Sequence, residues 1–221
     1  ADSVTSMGNK VTEASATIED FGPLVLDLAA KGEGGGPGLL AFLRATPIGK
    51  RYQEQLKDIA VGGRGVVDFT LKLPIKEVEA LALDGKVELV GARIDHNAYG
   101  LHFNDASGVL RFNQKGFLAD GLDTTFRERK ARLTVAIGGY VADPRHVFEA
   151  SVGGTWPVAS VFADVPVLLP MLGSVQGESA WTARVGVDHA DNGNARATLS
   201  LDSDLVGTAI ALPPPLAKAA D

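Results

Sequence analysis

The sequence predicts a mainly β fold, organised as one long antiparallel meander with two short helical segments packed on it or capping it. Three observations carry this prediction. Apolar and polar residues alternate with a period of two along much of the chain, glycine-containing turn signals separate the alternating runs, and two segments replace the alternation with helical spacing. At 221 residues, one large β domain is the expected organisation.

The clearest predicted strand is Val67–Leu73, in which apolar residues alternate with Asp68, Thr70 and Lys72. This pattern is typical of a strand with one buried face and one wet face. Similar runs recur about every 8 to 12 residues, so they predict consecutive antiparallel strands, about ten in all. The predicted strands cover residues 11–18, 24–30, 67–73, 86–94, 107–112, 117–126, 133–137, 147–152, 181–187 and 195–201.

Glycine-containing pairs mark the expected turns between these strands. Asp84-Gly85, Gly138-Gly139 and Asn192-Gly193 supply residues that accept the positive φ angles of tight hairpins. Ser107-Gly108 and Lys115-Gly116 are weaker signals of the same kind. Each pair is therefore predicted to lie where one strand ends and the next begins.

Two segments, about 37–59 and 157–173, are predicted to be helical insertions. In the first, apolar residues recur at helical spacing, and Pro37 suits the first turn of a helix. Pro47 should divide this segment into a short helix and a longer one, because a proline disfavours helical backbone at the residue before it. The second segment is apolar almost all round and contains prolines, so it should be an irregular helix that is buried or caps the sheet.

Composition argues against several functional classes. The formal net charge of −6 disfavours a nucleic-acid partner, which would need a clustered basic face. The basic cluster at 127–132 is interrupted by Glu128 and is predicted to be solvated. The chain has no cysteine, which excludes disulfides and thiolate metal sites. Residues 1–9 lack the features of a signal peptide, and the apolar stretch 157–172 is too short to span a bilayer.

Motifs for catalysis, phosphate binding and metal binding are incomplete. The glycine cluster at 32–38 lacks the Gly-Lys-Ser/Thr ending of a phosphate-binding loop. Residues 188–194 contain a glycine placed as in a calcium loop, but Ala190 and Leu199 occupy positions that belong to acidic ligands. The four histidines include no pair at the spacing that would place two imidazoles on one helical metal site. We therefore expect no metal site, no cofactor and no enzymatic activity.

A meander of this length has two faces and two edges, and two short helical segments can cover only part of one face. The sheet must therefore close into a barrel, fold over on itself or continue into further protein. Residues 212–218 contain three consecutive prolines, which suggests a joint rather than the end of a domain. We expect residues 1–221 to be a single fragment of a larger protein.

Near the C-terminal end, Ser203-Asp204-Leu205-Val206-Gly207 is followed by a stretch that begins Leu212-Pro213 and ends at Lys218. This order resembles a signature of YhdP-type AsmA-like proteins, in which a strand carrying Ser-Asp-Leu-x-Gly runs into Leu-Pro-x-Pro-Leu-x-Lys. The residues that match the signature are Ser203, Asp204, Leu205, Gly207, Leu212, Pro213, Pro215, Leu216 and Lys218.

Further passages of the chain are similar to the same family. Leu73-Pro74-Ile75, followed by 84–87 and Gly91-Ala92, looks like a recurring family passage. Residues 108–112, followed by Gly116-Phe117, look like one of its hairpins. Each motif is short, but the ordered matches extend from about residue 71 to residue 218.

The resemblance implies a periplasmic location, within an inner-membrane-anchored protein of a Gram-negative bacterium. Such proteins are similar to eukaryotic bridge-like lipid transfer proteins, whose bent, taco-shaped β-sheet forms a groove lined with apolar side chains. The implied role is movement of phospholipid toward the outer membrane, in support of the barrier integrity of that membrane. The implied partners are phospholipid acyl chains and neighbouring repeats of the full-length protein, with membrane contact made only by parts outside this chain.

Two hypotheses follow for the apolar face of the predicted sheet. In the first, the face is a groove that shields or conducts phospholipid. In the second, the chain is a non-catalytic structural or interaction scaffold of the cell envelope, whose apolar residues form a closed core and whose edges pair with neighbours. The candidate groove-lining residues are Val67, Phe69, Leu71, Leu133, Val135, Ile137, Trp181, Val185, Val187, Leu199 and Leu201.

Overall fold

The computed structural model describes residues 5–6, 9–18, 24–75, 80–189, 195–211, 213 and 217–220. The strands in these ranges are β1 Thr5–Ser6, β2 Asn9–Ile18, β3 Val25–Gly35, β4 Ile59–Pro74, β5 Ala82–His96, β6 Leu101–Asn113, β7 Gly116–Phe126, β8 Arg129–Gly138, β9 His146–Pro157, β10 Val175–Asp188, β11 Ala197–Ser203 and β12 Thr208–Ile210. The α-helices in the same ranges are α1 Gly36–Ala45, α2 Pro47–Arg51, α3 Gln53–Leu56, α4 Val158–Val161 and α5 Leu169–Leu172. Short 3-10 turns cover Asn97–Tyr99 and Pro166–Leu168.

The strands form one antiparallel sheet in which β1 to β11 follow one another in chain order. β11 pairs with Trp181–Val187 of β10, and β12 continues along the same side of β10 by pairing with Val175–Gly177. The sheet does not close into a barrel. The prediction of a mainly β antiparallel meander with short helical segments is confirmed.

Cross-strand register separates the sheet into an apolar face, called here the inner face, and a polar face, called the outer face. One row of directly opposed residues crosses the inner face from β3 to β11: Gly32, Val67, Val87, Leu110, Ala119, Val135, Ala150, Val185 and Leu199. The adjacent row on the outer face begins Asp68, Lys86 and Arg111 and ends at Thr198. The inner row is thus apolar from β3 to β11, whereas the outer row is polar toward its two ends and passes through Leu118 and Ala136 between them.

A line of β-bulges crosses the middle of the sheet and is called here the crease. The register shifts in each pair of neighbouring strands from β4 to β8, beginning at 62/64 in β4 and reaching 119/122 in β7. Bulges bend a strand and increase its twist, so four bulged strands side by side bend the sheet along a common line. The positive φ angles of the crease belong to Gly63, Gly91, Asp105, Gly108 and Gly121.

At the crease, two backbone N–H groups no longer pair with a neighbouring strand and donate hydrogen bonds to side-chain hydroxyls instead. The amide of Gly91 donates to Ser107 Oγ at 3.0 Å, and the amide of Gly121 donates to Thr134 Oγ1 at 3.0 Å. The Gly121 amide is half-buried and would be destabilising without an acceptor, whereas the Gly91 amide is exposed to solvent, so the Thr134 hydroxyl contributes more to the bend than the Ser107 hydroxyl.

The bend makes the inner face concave. Leu122 is 1% exposed, although its core cluster, which includes Leu89, Phe103 and Leu133, consists entirely of strand residues. In a flat single-layer sheet without a covering helix, a side chain that stands out from the face would meet solvent. The strands therefore curve toward one another enough for their inner side chains to bury each other.

Two predicted turns are wrong. Asp84-Gly85 lies inside β5 and Ser107-Gly108 lies inside β6. Glycine is needed at 85 for space, because a Cβ there would lie 2.5 Å from the ring of Phe112. Gly108 has a φ of 142° because it belongs to the crease rather than to a hairpin.

Other predicted turns are confirmed. Gly138 ends β8 with a φ of 64°, and Asn113 pairs with Gly116 across a two-residue hairpin that contains Lys115. Asn192-Gly193 lies outside the described residues.

The first helical segment breaks before Pro47, as predicted, because Thr46 adopts an extended conformation between α1 and α2. The longer helix is α1, before the proline, rather than after it. The stretch after Pro47 is divided again at Tyr52 into α2 and α3, each of five residues or fewer.

We predict that the crease depends on the left-handed conformation of Gly63. Its φ is 85°, and a Cβ there would lie 2.8 Å from the Cα of Ala92, so Gly63→Ala should lower the free energy of unfolding by about 1–3 kcal/mol. The adjacent Gly62 is the matched control, because its nearest contact for a Cβ is Arg93 at 3.7 Å. Urea unfolding of both variants checks this, and equal losses would contradict it.

Candidate functional site

All eleven candidate lining residues lie on the inner face. Val67, Val135, Val185 and Leu199 belong to the continuous row described above. The remaining seven occupy the same face at alternate positions of their strands: Phe69, Leu71, Leu133, Ile137, Trp181, Val187 and Leu201. They differ in what covers them.

The helices α1 to α3 cover the middle of the inner face. Ile48, Tyr52 and Leu56 are at least 93% buried in one cluster with Val67 and Ile137. These helices therefore form a packed layer over the central strands.

Two hydrogen bonds fix that layer in place. The Tyr52 hydroxyl donates to the backbone carbonyl of Lys115 at 2.9 Å, which ties the helices to the β6–β7 hairpin. Arg44 donates to the carbonyl of Leu56 at 2.6 Å, which closes the end of α3. The first hydrogen bond fastens the helical layer to the sheet, and the second holds α1 and α3 together.

The second helical segment, Val158–Leu172, covers the inner face where β8 begins, β9 ends and β10 begins. The side chains of Val158, Phe162 and Leu172 pack on Trp156 and Trp181. The ring of Phe162 stands edge-on to that of Trp181 with centroids 5.6 Å apart. This segment is called here the flap.

The flap is tethered through the basic cluster that the sequence places at 127–132. Arg127 donates to the carbonyl of Ser160 and, at 2.7 Å, to the carboxylate of Asp164. Arg129 pairs with Glu178 at the start of β10. These two arginines bind neighbouring elements in addition to meeting solvent.

Beyond these covers, the inner face stays open near β10 and β11. The open area is called here the β11 strip and consists of Ala183, Val185, Val187, Leu199 and Leu201. Leu199 is 71% exposed and Leu201 is 39% exposed, while the three β10 residues are half-buried. A second open area lies on β2 and β3, where Ile18 is 39% exposed opposite the half-buried Leu26.

The predicted lining residues thus fall into three groups by exposure. Four are buried in the core, namely Val67, Leu133, Ile137 and Trp181. Phe69, Leu71, Val135, Val185 and Val187 are half-buried, and Leu199 and Leu201 are exposed.

The first half of the signature forms a kink between β11 and β12. Ser203 Oγ accepts from the amide of Leu205 at 3.0 Å, and Asp204 Oδ1 accepts from the amide of Val206 at 2.9 Å. Leu205 and Gly207 have φ angles of 57° and 87°. The side chain of Leu205 packs into the cluster of Trp156 and Trp181.

The second half of the signature returns along β12. Ile210 and Lys218 exchange backbone hydrogen bonds of 2.8 and 3.1 Å, and the amide of Gly207 donates to the carbonyl of Ala220 at 2.8 Å. The ammonium of Lys218 donates to the carbonyl of Thr208 at 3.3 Å. Pro213 is exposed, and Leu212, Pro215 and Leu216 lie outside the described residues.

Two clusters of charged side chains lie on the outer face. The hydrogen bond from Arg93, and then that from His102, hold the pKa of Asp95 below its ordinary value. The second cluster joins His146 Nδ1 to Glu149 at 2.8 Å. No group of three or more acidic or histidine side chains is placed to hold a metal ion in the part of the chain that the structure describes.

For Glu149, burial raises the pKa. The hydrogen bonds donated by the amides of Ala142 and Asp143, together with His146, outweigh that effect, so the pKa of Glu149 lies below its ordinary value.

We predict that the buried and open members of the face differ sharply in their contribution to stability. Ile137 is fully buried, so Ile137→Ala should lower the free energy of unfolding by about 2–5 kcal/mol. Leu199 is 71% exposed, so Leu199→Ala should change it by no more than about 0.5 kcal/mol. Urea unfolding of both variants makes the comparison. A loss at Leu199 as large as that at Ile137 would mean that the β11 strip is covered in solution.

None of the described helices is long and apolar enough to cross a membrane. A search of curated proteins found no match, and a search of solved structures found none either. The family model described as YhdP protein matches residues 1–221, which is the whole chain. The chain therefore belongs to the YhdP family, a family of bacterial cell-envelope proteins, and this membership points to a role related to lipid transport in the envelope.

Proposed function

We propose that this chain is a segment of an inner-membrane-anchored periplasmic protein whose apolar inner face shields or conducts phospholipid toward the outer membrane. In this role it supports the barrier integrity of that membrane and carries out no catalysis. The observation that carries the proposal is the apolar row that crosses the open sheet from β3 and ends at the uncovered Leu199. Membership of the YhdP family supports the same conclusion.

The β11 strip has the chemistry that an acyl chain needs. Its five side chains are aliphatic, and the charged residues Arg184 of β10 and Asp202 of β11 pair with each other on the outer face. Each methylene that leaves water contributes about 0.8 kcal/mol, so a chain of fourteen carbons that left water completely would gain roughly 11 kcal/mol before ordering costs, and the strip supplies the part of that gain that its contact area covers. No polar recognition is required for binding of this kind.

The helices packed on the middle of the inner face limit where lipid can lie within this segment. The helices α1 to α3 occupy the inner face above Val67 and Ile137, and their contacts bury Ile48 completely. We therefore assign lipid contact to the β11 strip and to the open area on β2 and β3. The buried candidate residues then form the core that holds the face in its concave shape.

The second candidate function is an interaction scaffold without lipid. It is favoured by the central core, where Leu122 and Ile137 are as well buried as in any closed domain. Under this alternative, another protein would cover the exposed leucines of β11. The two functions differ in whether the β11 strip binds phospholipid.

We predict that a charge in the β11 strip abolishes lipid binding without unfolding the chain. Leu199→Asp places a carboxylate on the inner face at an exposed position, so the free energy of unfolding should stay within about 1 kcal/mol of wild type. Phospholipid that co-purifies with the protein, counted by native mass spectrometry, should fall at least fivefold, because a carboxylate among acyl chains is poorly solvated.

The matched control is Thr198→Asp, which adds the same charge to the exposed outer face of the same strand. This variant should retain lipid at the wild-type level. Wild-type protein without bound phospholipid, or equal lipid in both variants, would overturn the proposed function and favour the scaffold.

A further inference from the structure

The two tryptophans of the chain share one cluster but differ in their hydrogen bonding. Trp156 is 5% exposed and Trp181 is 7% exposed. The indole N–H of Trp156 donates to the backbone carbonyl of Phe126 at 3.2 Å. The indole Nε1 of Trp181 is buried and has no acceptor among the described residues. Because a buried donor without an acceptor costs about 1–3 kcal/mol, such a group calls for an explanation.

Trp181 lies where the covered part of the inner face meets the open part. It stands directly opposite Ser203 of β11, and the next inner residue of its strand is Ala183, the first member of the β11 strip. An acyl chain that lies along the β11 strip and continues toward the start of β10 therefore reaches the Trp181 indole.

The flap over Trp181 is a light cover. Its α-helices have four residues each, and Val167, Leu169 and Met171 are 79, 50 and 43% exposed. Phe162 supplies the edge-on contact with the indole, and the tether to the sheet is the pair between Arg127 and Asp164.

The charges around Trp181 favour an uncharged acceptor. Arg127, which binds the flap, and Arg129, which binds the start of β10, are already paired with Asp164 and Glu178. A phosphate would need a free cation or several converging donors, whereas a single indole N–H suits one neutral carbonyl oxygen. The hydrophobic cluster that contains Trp181 is built of aromatic and aliphatic side chains, which suits the ester end of an acyl chain.

We propose that the indole N–H of Trp181 donates to an ester carbonyl of a phospholipid whose acyl chain lies along the β11 strip. The flap moves aside to admit this carbonyl and closes over it. This inference rests on the proposed function and adds a polar subsite to an otherwise apolar contact. It selects glycerolipids with ester linkages over lipids of equal apolar content that lack the carbonyl.

The experiment compares a diester phosphatidylcholine with its diether analogue of the same chain length, which has no ester carbonyl. Binding of each lipid to wild type, Trp181→Phe and Trp156→Phe is measured by titration calorimetry. Wild type and Trp156→Phe should bind the diester lipid about two- to tenfold more tightly than the diether, the effect of one net hydrogen bond. Trp181→Phe should bind both lipids equally.

A second measurement needs no substitution. In ¹⁵N-labelled wild-type protein, the indole N–H resonance of Trp181 should shift downfield when the diester lipid binds but not when the diether binds. The resonance of Trp156 should shift with neither, because its N–H already has an acceptor. If Trp181→Phe does not fold, this measurement alone decides.

The outcomes separate the two proposals. If wild type binds neither lipid, the proposed function fails and this inference fails with it. If wild type binds both lipids equally, or if Trp181→Phe keeps the preference for the diester, the Trp181 subsite is overturned while lipid binding by the β11 strip stands.

Discussion

A single-layer sheet with one apolar face must cover that face, and this constraint organises the whole molecule. The crease turns the central strands toward each other, so that Leu122 is buried in a cluster of strand residues. The helices α1 to α3 cover the adjacent central area, and the flap covers the two tryptophans. Near β11 the cover ends, and Leu199 meets solvent. The candidate site is therefore the part of a hydrophobic core that the chain leaves incomplete.

The alternation of apolar and polar residues predicted the sheet, because a period of two indicates a strand with one buried face and one exposed face. It could not distinguish a hairpin from a bulge, since both use glycine at positive φ or at close approach. Gly108 belongs to the crease, and Gly85 makes room for the ring of Phe112. Both glycines were predicted to lie at turns, because the residues that make glycine necessary at these positions belong to other strands and are distant in the sequence.

The sequence placed the candidate lining residues on one face, but it could not show which of them are covered. That depends on the path of α1 to α3, which bury Ile137 and leave Leu199 free. The sequence also does not show that the Trp181 N–H lacks an acceptor among the described residues. Trp156 is a tryptophan in the same cluster, and its N–H donates to the carbonyl of Phe126. The resemblance to the family came instead from ordered short motifs, and the match over residues 1–221 confirms it.

The kink formed by the signature lies beside the Trp181 side chain. Ser203 stands opposite Trp181 and holds the amide of Leu205, whose side chain enters the tryptophan cluster. If the strand ran straight past Ser203, the alternation of side chains would by itself decide whether Leu205 enters the tryptophan cluster. The left-handed backbone at Leu205 turns the chain toward β12 instead, and Gly207 completes the turn. The signature thus sets the wall of the inner face beside Trp181.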